Sequence, residues 1–434
     1  MRYISTNNSK HNVDLKTAVL AGMPMEGGLY MPENLARLDA AFFKGLSGLS
    51  FQEVALSLAS PFLSEDVPAG ELVDIVENSM NFDIKLKRID TYLSVLETFH
   101  GPTMAFKDFG ARFMAQLMAY LIRGEDRELC ILVATSGDTG SAVASGFLGV
   151  PGIRVVILYP SGKVSPSQEK QLTTQGGNIT ALEVEGSFDD CQRMVKSAFA
   201  DDDLRSKMNI SSANSINIAR LLPQSFYYAW ATGQLIDFEQ DKVFSVPCGN
   251  FGNLTAGLMA KRMGIPIKHF IAATNSNAVF PKYLSTGQFK AKPSQHTMSN
   301  AMDVGNPSNL ARINYLYGDD VGNIQHDVSS WSFNDKVSRS MIAAMFSEYN
   351  YTVDPHTAVG LLGMRAYHQQ IAAETMQGVV VATAHPAKFP EHVEPIIGRS
   401  IEIPEQLQQY LNREKHSIQM STSYEEFREY LLDN

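Results

Sequence analysis

The chain has 434 residues, 44% of them apolar and 19% charged, with a formal net charge of −10. That length suits about three units of ordinary domain size around a large core, and the acidic balance excludes the basic face that nucleic acid requires. Met1 to Leu15 is polar, and nowhere do about 18 apolar residues run together, so no membrane partner and a cytoplasmic location are expected. The three cysteines, Cys130, Cys191 and Cys248, have neither metal-ligand spacing nor a disulfide framework. No metal is expected, and Cys130 and Cys248 read as buried small hydrophobes.

In chain order, residues 1 to about 90 form a separate N-terminal domain, with the turn Gly27-Gly28-Leu29-Tyr30-Met31-Pro32 and helical patterns over Phe51 to Leu63 and Glu71 to Met80. From about residue 91, short β-branched runs alternate with amphipathic stretches, the pattern of α/β architecture with parallel strands and crossover helices. Leu129 to Ala134, Arg154 to Tyr159, Ile179 to Val184, Val243 to Val246, His269 to Ala273 and Gly378 to Ala382 are the expected strands. Most are continuous apolar runs, as in a sheet covered on both faces. Ser165-Pro166-Ser167-Gln168 reads as a helix start with an N-cap and a reciprocating Gln, and Ser187 before Asp189 and Asp190 as another. The chain closes on an exposed-looking helix, Ser423 to Leu432. No heptad seam decides between monomer and homodimer.

Lys107 is a lone base in Phe99-His100-Gly101-Pro102-Thr103-Met104-Ala105-Phe106-Lys107-Asp108-Phe109-Gly110. Phe113, Met114, Leu117, Met118 and Leu121 follow at helical spacing, placing Lys107 near the N-terminal end of a helix with a buried face. An amine with a reference pKa near ~10.4 becomes a nucleophile when apolar walls lower it. Such a lysine suits a Schiff base with a carbonyl substrate or with pyridoxal phosphate.

Two glycine-rich turns each follow a strand: Thr135-Ser136-Gly137-Asp138-Thr139-Gly140 and Gly249-Asn250-Phe251-Gly252-Asn253. Glycines admit close backbone approach, and free N–H groups at a helix N-terminus attract phosphate. Neither turn matches the dinucleotide fingerprint or the lysine-containing nucleotide loop. Asn214-Ser215-Ile216-Asn217-Ile218-Ala219-Arg220 adds an amide and a guanidinium, which grips phosphate bidentately. Thr383-Ala384-His385-Pro386-Ala387-Lys388-Phe389 follows a further strand. There His385 and Lys388 read as acid-base or metal residues, or as parts of a structural turn. Two separate phosphate-type turns around one apolar-pocket lysine suit a phosphorylated cofactor beside a phosphorylated substrate.

In this order, and with His100-Gly101-Pro102-Thr103, Phe106-Lys107-Asp108 and Asn300-Ala301-Met302-Asp303-Val304-Gly305, the motifs resemble those of the threonine synthase family of fold-type II pyridoxal-phosphate enzymes. The resemblance runs from residue 1 to the end. It implies a tryptophan synthase β-like fold with two α/β lobes on mostly parallel sheets: a catalytic region over 91–434, its smaller lobe at about 125–235, behind the N-terminal domain. Pyridoxal 5'-phosphate is implied on Lys107, which also moves substrate protons. Gly249, Asn250, Phe251, Gly252 and Asn253 would wrap the cofactor phosphate, and Thr383 would bond the pyridine nitrogen. Asp138 stands where many relatives have Asn against the ring hydroxyl. Thr135, Ser136, Thr139, Asn214 and Arg220 match residues holding the substrate phosphate, with Lys163 as a further ligand. The implied reaction turns O-phospho-L-homoserine and water into L-threonine and phosphate. A phospholyase releasing 2-oxobutyrate is the neighbouring alternative, and a non-catalytic ligand-binding relative a more distant one.

Overall fold

The computed structural model describes residues 1–235, 240–371 and 376–434. Its strands are β1 (Tyr3–Ser5), β2 (Asn8–Val13), β3 (Tyr30–Pro32), β4 (Lys85–Arg88), β5 (Leu93–Glu97), β6 (Leu129–Ala134), β7 (Ile153–Pro160), β8 (Ile179–Val184), β9 (Asn209–Ser212), β10 (Asp241–Pro247), β11 (His269–Thr274), β12 (Val328–Ser332), β13 (Met376–Ala382) and β14 (Ile418–Met420). They make three sheets, ordered β2-β1-β3, β12-β11-β10-β13-β5-β4 and β14-β8-β7-β6-β9.

The five-stranded sheet is wholly parallel, and the six-stranded one is parallel except for its edge strand β4. Their central strands are buried along their length, as β6 and β11 show. A chain whose strands are covered on both faces needs apolar residues at successive positions. Among the strands read from sequence, β6 and β8 match to the residue and the other four extend by one to three residues. β1 to β3 are additional, and in the two larger sheets so are β4, β5, β9, β12 and β14. They are short, or, like β4 and β12, largely exposed or only partly buried, and so lack a continuous apolar run. β14 joins the smaller sheet from beyond residue 235, and β4 gives the larger sheet an edge from before residue 91.

The N-terminal elements pack directly on the rest. Helix Phe51–Leu63 starts at a capping box between Ser50 and Glu53, and Phe51 meets Phe109 edge-on at 5.4 Å between ring centroids. Arg312, fully buried, donates to the carbonyls of Tyr30, Ser215 and Ile216 and to Asn309 Oδ1, tying β3 to the loop after β9. All three cysteines are buried and free. Among the described residues no helix is long and apolar enough to cross a membrane, and no group of three His, Cys, Asp or Glu is placed to hold a metal.

Candidate active site

Five loops leave the C-terminal ends of β5, β6, β9, β10 and β13, where ligands bind in open parallel sheets, and they carry nearly every residue singled out above. The loop after β5 leads to Lys107, the first residue of helix Lys107–Leu121. Met104 there has φ 59, a left-handed conformation that costs a side chain of this kind about 1–3 kcal/mol. Its neighbours hold it: Phe106 N donates to Thr383 O at 2.9 Å and His385 N to Met104 O at 3.1 Å. The segments of Lys107 and Thr383 are thereby zipped together.

The Lys107 side chain is partly buried, and its pKa is pushed down to about 8 by burial, against the pull of Asp138 and with the repulsion of Lys388 and Arg220. The apolar-pocket expectation holds, but the surroundings are far from purely apolar. Asp138 begins helix Asp138–Phe147. Its Oδ1 lies 2.6 Å from Lys388 Nζ and accepts from Gln168 Nε2 at 3.0 Å. Burial opposes its charge, yet Lys388 and then Lys107 outweigh burial and hold the carboxylate well below its usual range. Gln168 is the capping-box residue of helix Pro166–Thr173, reciprocating Ser165. Gly137 makes room for it: a Cβ there would lie 2.4 Å from Gln168 Cδ, on a backbone with φ 133.

Between β10 and helix Gly252–Arg262, the backbone N–H groups of Gly249, Asn250, Phe251, Gly252 and Asn253 have no acceptor among the described residues. Phe251 has φ 61, which turns the chain so that these donors line one loop at a helix N-terminus. That arrangement cradles a phosphate. The side chains do other work. Asn250 bridges Ser215 Oγ at 2.6 Å and the Ser308 N–H at 2.6 Å. Asn253 Oδ1 accepts from the hydroxyls of Tyr227 and Tyr228, leaving its Nδ2 buried without a partner. Thr383 is buried with its hydroxyl unengaged by any described residue. Unspent donors around an amine whose pKa burial has lowered fit pyridoxal phosphate.

A second set of donors stands on the loops of the smaller sheet, with Arg220 near enough to act on the Lys107 charge. Arg220 is 3% exposed and donates to Ala213 O at 2.5 Å, while its Nε is buried and unpartnered. Its guanidinium lies over the first turn of the Lys107 helix, where a Cβ on Gly110 would come within 3.0 Å of Nε. Ser136 and Thr139 keep hydroxyls that no described residue engages. Asn214 bonds Ala134 O at 2.9 Å, holding β9 to the end of β6 with one amide hydrogen to spare. Two residues differ from expectation. The Thr135 hydroxyl is consumed by its own turn, accepting from Gly137 N at 3.0 Å and Gly140 N at 2.8 Å. Lys163 is exposed, and its amine donates to Gly186 O at 3.0 Å beyond β8, so the structure does not bring it to the group.

Sequence reasoning missed Gln168 and Arg312 as parts of this site and left Lys388 between two readings. Their partners are distant in the chain, and only the complete burial of Lys388, visible in three dimensions, reveals it.

Residues 84–384 match the profile of pyridoxal-phosphate dependent enzymes, which sets the class. Residues 2–80 match the threonine synthase N terminus and 357–431 its C-terminal region. Threonine synthase of Haemophilus influenzae is 41% identical over 433 residues, covering 100% of each chain. The crystal structure of threonine synthase from Escherichia coli superposes with a TM-score of 0.92 at 38% identity, covering 100% of both chains. That of PLP-bound threonine synthase from Brucella melitensis has a TM-score of 0.93 at 33% identity, covering 100% of this chain and 99% of the other. The chain belongs to the threonine synthase family. The fold class, the enzyme class of pyridoxal-phosphate-dependent lyase and the cofactor expected from sequence all stand.

Proposed function

We propose that this enzyme converts O-phospho-L-homoserine and water to L-threonine and phosphate in the cytoplasm, the last step of threonine biosynthesis. One observation carries the substrate: two separate sets of unspent anion donors, Gly249–Asn253 and the Arg220 group, leave the same strand ends as the loop that carries the depressed Lys107 amine. The first set takes the cofactor phosphate. A substrate that brings its own phosphate gives the second set a purpose.

Bound on Lys107, pyridoxal phosphate supplies an electron sink for charge developing at the substrate carbons. The Lys107 amine would take the proton from the substrate Cα and later serve the neighbouring carbon, since a base with a pKa near the working pH transfers protons in both directions. Arg220, Ser136, Thr139 and Asn214 orient the leaving phosphate and stabilise the charge of about −1.5 to −2 it carries away. Thr383 offers the pyridine nitrogen a neutral hydroxyl. The N-terminal elements that precede β4 buttress the catalytic region, whose smaller lobe is built on β6 to β9 and completed by β14.

Borohydride reduction followed by peptide mass mapping should place the cofactor on Lys107; modification of another lysine would overturn the site. Turnover of O-phosphohomoserine should yield threonine and phosphate in equal amounts. Predominant 2-oxobutyrate would identify a phospholyase instead.

A further inference from the structure

Lys388 is an unusual side chain to find at 0% exposure. An ammonium taken wholly out of water carries a desolvation penalty of several kcal/mol unless it is paired and hydrogen-bonded. Both conditions are met, by Asp138 Oδ1 at 2.6 Å and by Thr103 O at 2.9 Å. The same Thr103 fixes Asp108, whose carboxylate accepts from Thr103 N at 2.9 Å and Thr103 Oγ1 at 2.6 Å. Lys107 thus sits in a buried box of fixed charges. The cations Lys388 and Arg220 act on it, and Asp138 is the anion that acts on it directly. Asp108 faces Lys388 and Arg220 from the Lys107 helix itself.

Asp138 endangers the chemistry assigned to Lys107. A buried carboxylate with no cation of its own would take the nearest ammonium as its partner, and an opposite charge within about 4–6 Å raises an amine's pKa by about 1–3 units. Lys107 would then stay protonated and could not attack a carbonyl. Gln168 cannot prevent this, because an amide hydrogen satisfies a lone pair without neutralising the charge. Lys388 can. It reaches Asp138 from the loop after β13, the loop that also carries Thr383.

We infer that Lys388 is a positioning residue that binds the Asp138 carboxylate and so leaves the Lys107 amine free to react. This deepens the reading of Lys107 as the cofactor's lysine and rests on it. The readout is the amine's own protonation, so a wrong assignment of Lys107 shows itself separately, as cofactor reduced onto a different lysine. An ion pair serving stability alone would shift the melting temperature and leave the protonation of Lys107 untouched.

The test uses the full chain freed of cofactor, labelled competitively with acetic anhydride at stepped pH, with the Lys107 peptide quantified by mass spectrometry. In the wild type, labelling should reach half its maximum near pH 8. In K388Q the half-point should rise by about one to three pH units, and K388R, which keeps the charge, should stay within half that shift of the wild type. An unchanged or lowered half-point in folded K388Q overturns the inference. Should K388Q fail to fold, K388M, which keeps the apolar stem and removes the charge, carries the same test: a raised half-point is expected, and an unchanged or lowered one overturns the inference.

Discussion

Arg220 shows how a single side chain is kept ready. It is almost wholly enclosed and donates to one carbonyl, Ala213 O, while its Nε has nothing to bond. A buried donor without a partner is unfavourable by about 1–3 kcal/mol, and more when charged. An anion arriving there recovers that deficit. Arg220→Gln should therefore weaken substrate binding by about 2 kcal/mol or more, roughly thirtyfold in KM, with the visible spectrum of the bound cofactor unchanged and Arg220→Lys recovering part of the loss. Loss of the cofactor spectrum in Arg220→Gln would mean that Arg220 serves the cofactor instead. Lys107 and Arg220 were both legible in the sequence, as isolated bases among apolar or small residues. Lys388 was ambiguous because its partner Asp138 lies far away in the chain, and a lysine beside Pro386 suits a surface turn equally well. Lys163 was read as a phosphate ligand from its place on the loop before helix Pro166–Thr173, but its amine turns to Gly186 O instead.

At the scale of elements, helix Pro166–Thr173 has two tasks. Its capping box satisfies its own first turn, with Ser165 Oγ accepting from Gln168 N and Gln168 Oε1 accepting from Ser165 N. The other end of the Gln168 amide holds Asp138. Ser50 makes an equivalent box at helix Phe51–Leu63, away from the amine. Ser165→Ala and Ser50→Ala should each lower stability by about 1 kcal/mol in denaturant titrations. Only Ser165→Ala should also slow turnover, because a loosened Gln168 no longer fixes Asp138; equal kcat/KM in the two variants would refute the coupling. The cap itself could be read from Ser165-Pro166-Ser167-Gln168, and the central strands from their continuous apolar runs. What the cap touches could not be read, since local spacing carries no information about contacts across the sheet. β5 was hidden for a related reason: Leu93–Glu97 is five residues long and includes a polar serine, yet it pairs with β13 at the heart of the larger sheet.

Across the whole molecule, Arg312 links regions that sequence separates by hundreds of residues. All five of its N–H hydrogens are directed at acceptors from β3, the Ser215 loop and Asn309, and none of those acceptors is a carboxylate. Since Ser215 in turn receives Asn250 of the phosphate cradle, the N-terminal sheet is mechanically joined to the site. Arg312→Met leaves these carbonyls buried without donors and should destabilise the protein by about 3 kcal/mol or more. Hydrogen exchange should accelerate at both Tyr30 and Ser215 at once. Acceleration at one alone would show that the two regions move independently.

β14 carries a consequence for how the chain matures. Gln419 and Lys415 fasten this last strand to Glu183 on β8, and it covers what would otherwise be the open edge of the smaller sheet. A ribosome making the protein from its N-terminus completes β6 to β9 long before residue 418. Until then β8 offers unpaired N–H and C=O groups to any passing strand. The smaller lobe therefore stays adhesive from the completion of β8 until β14 has been made.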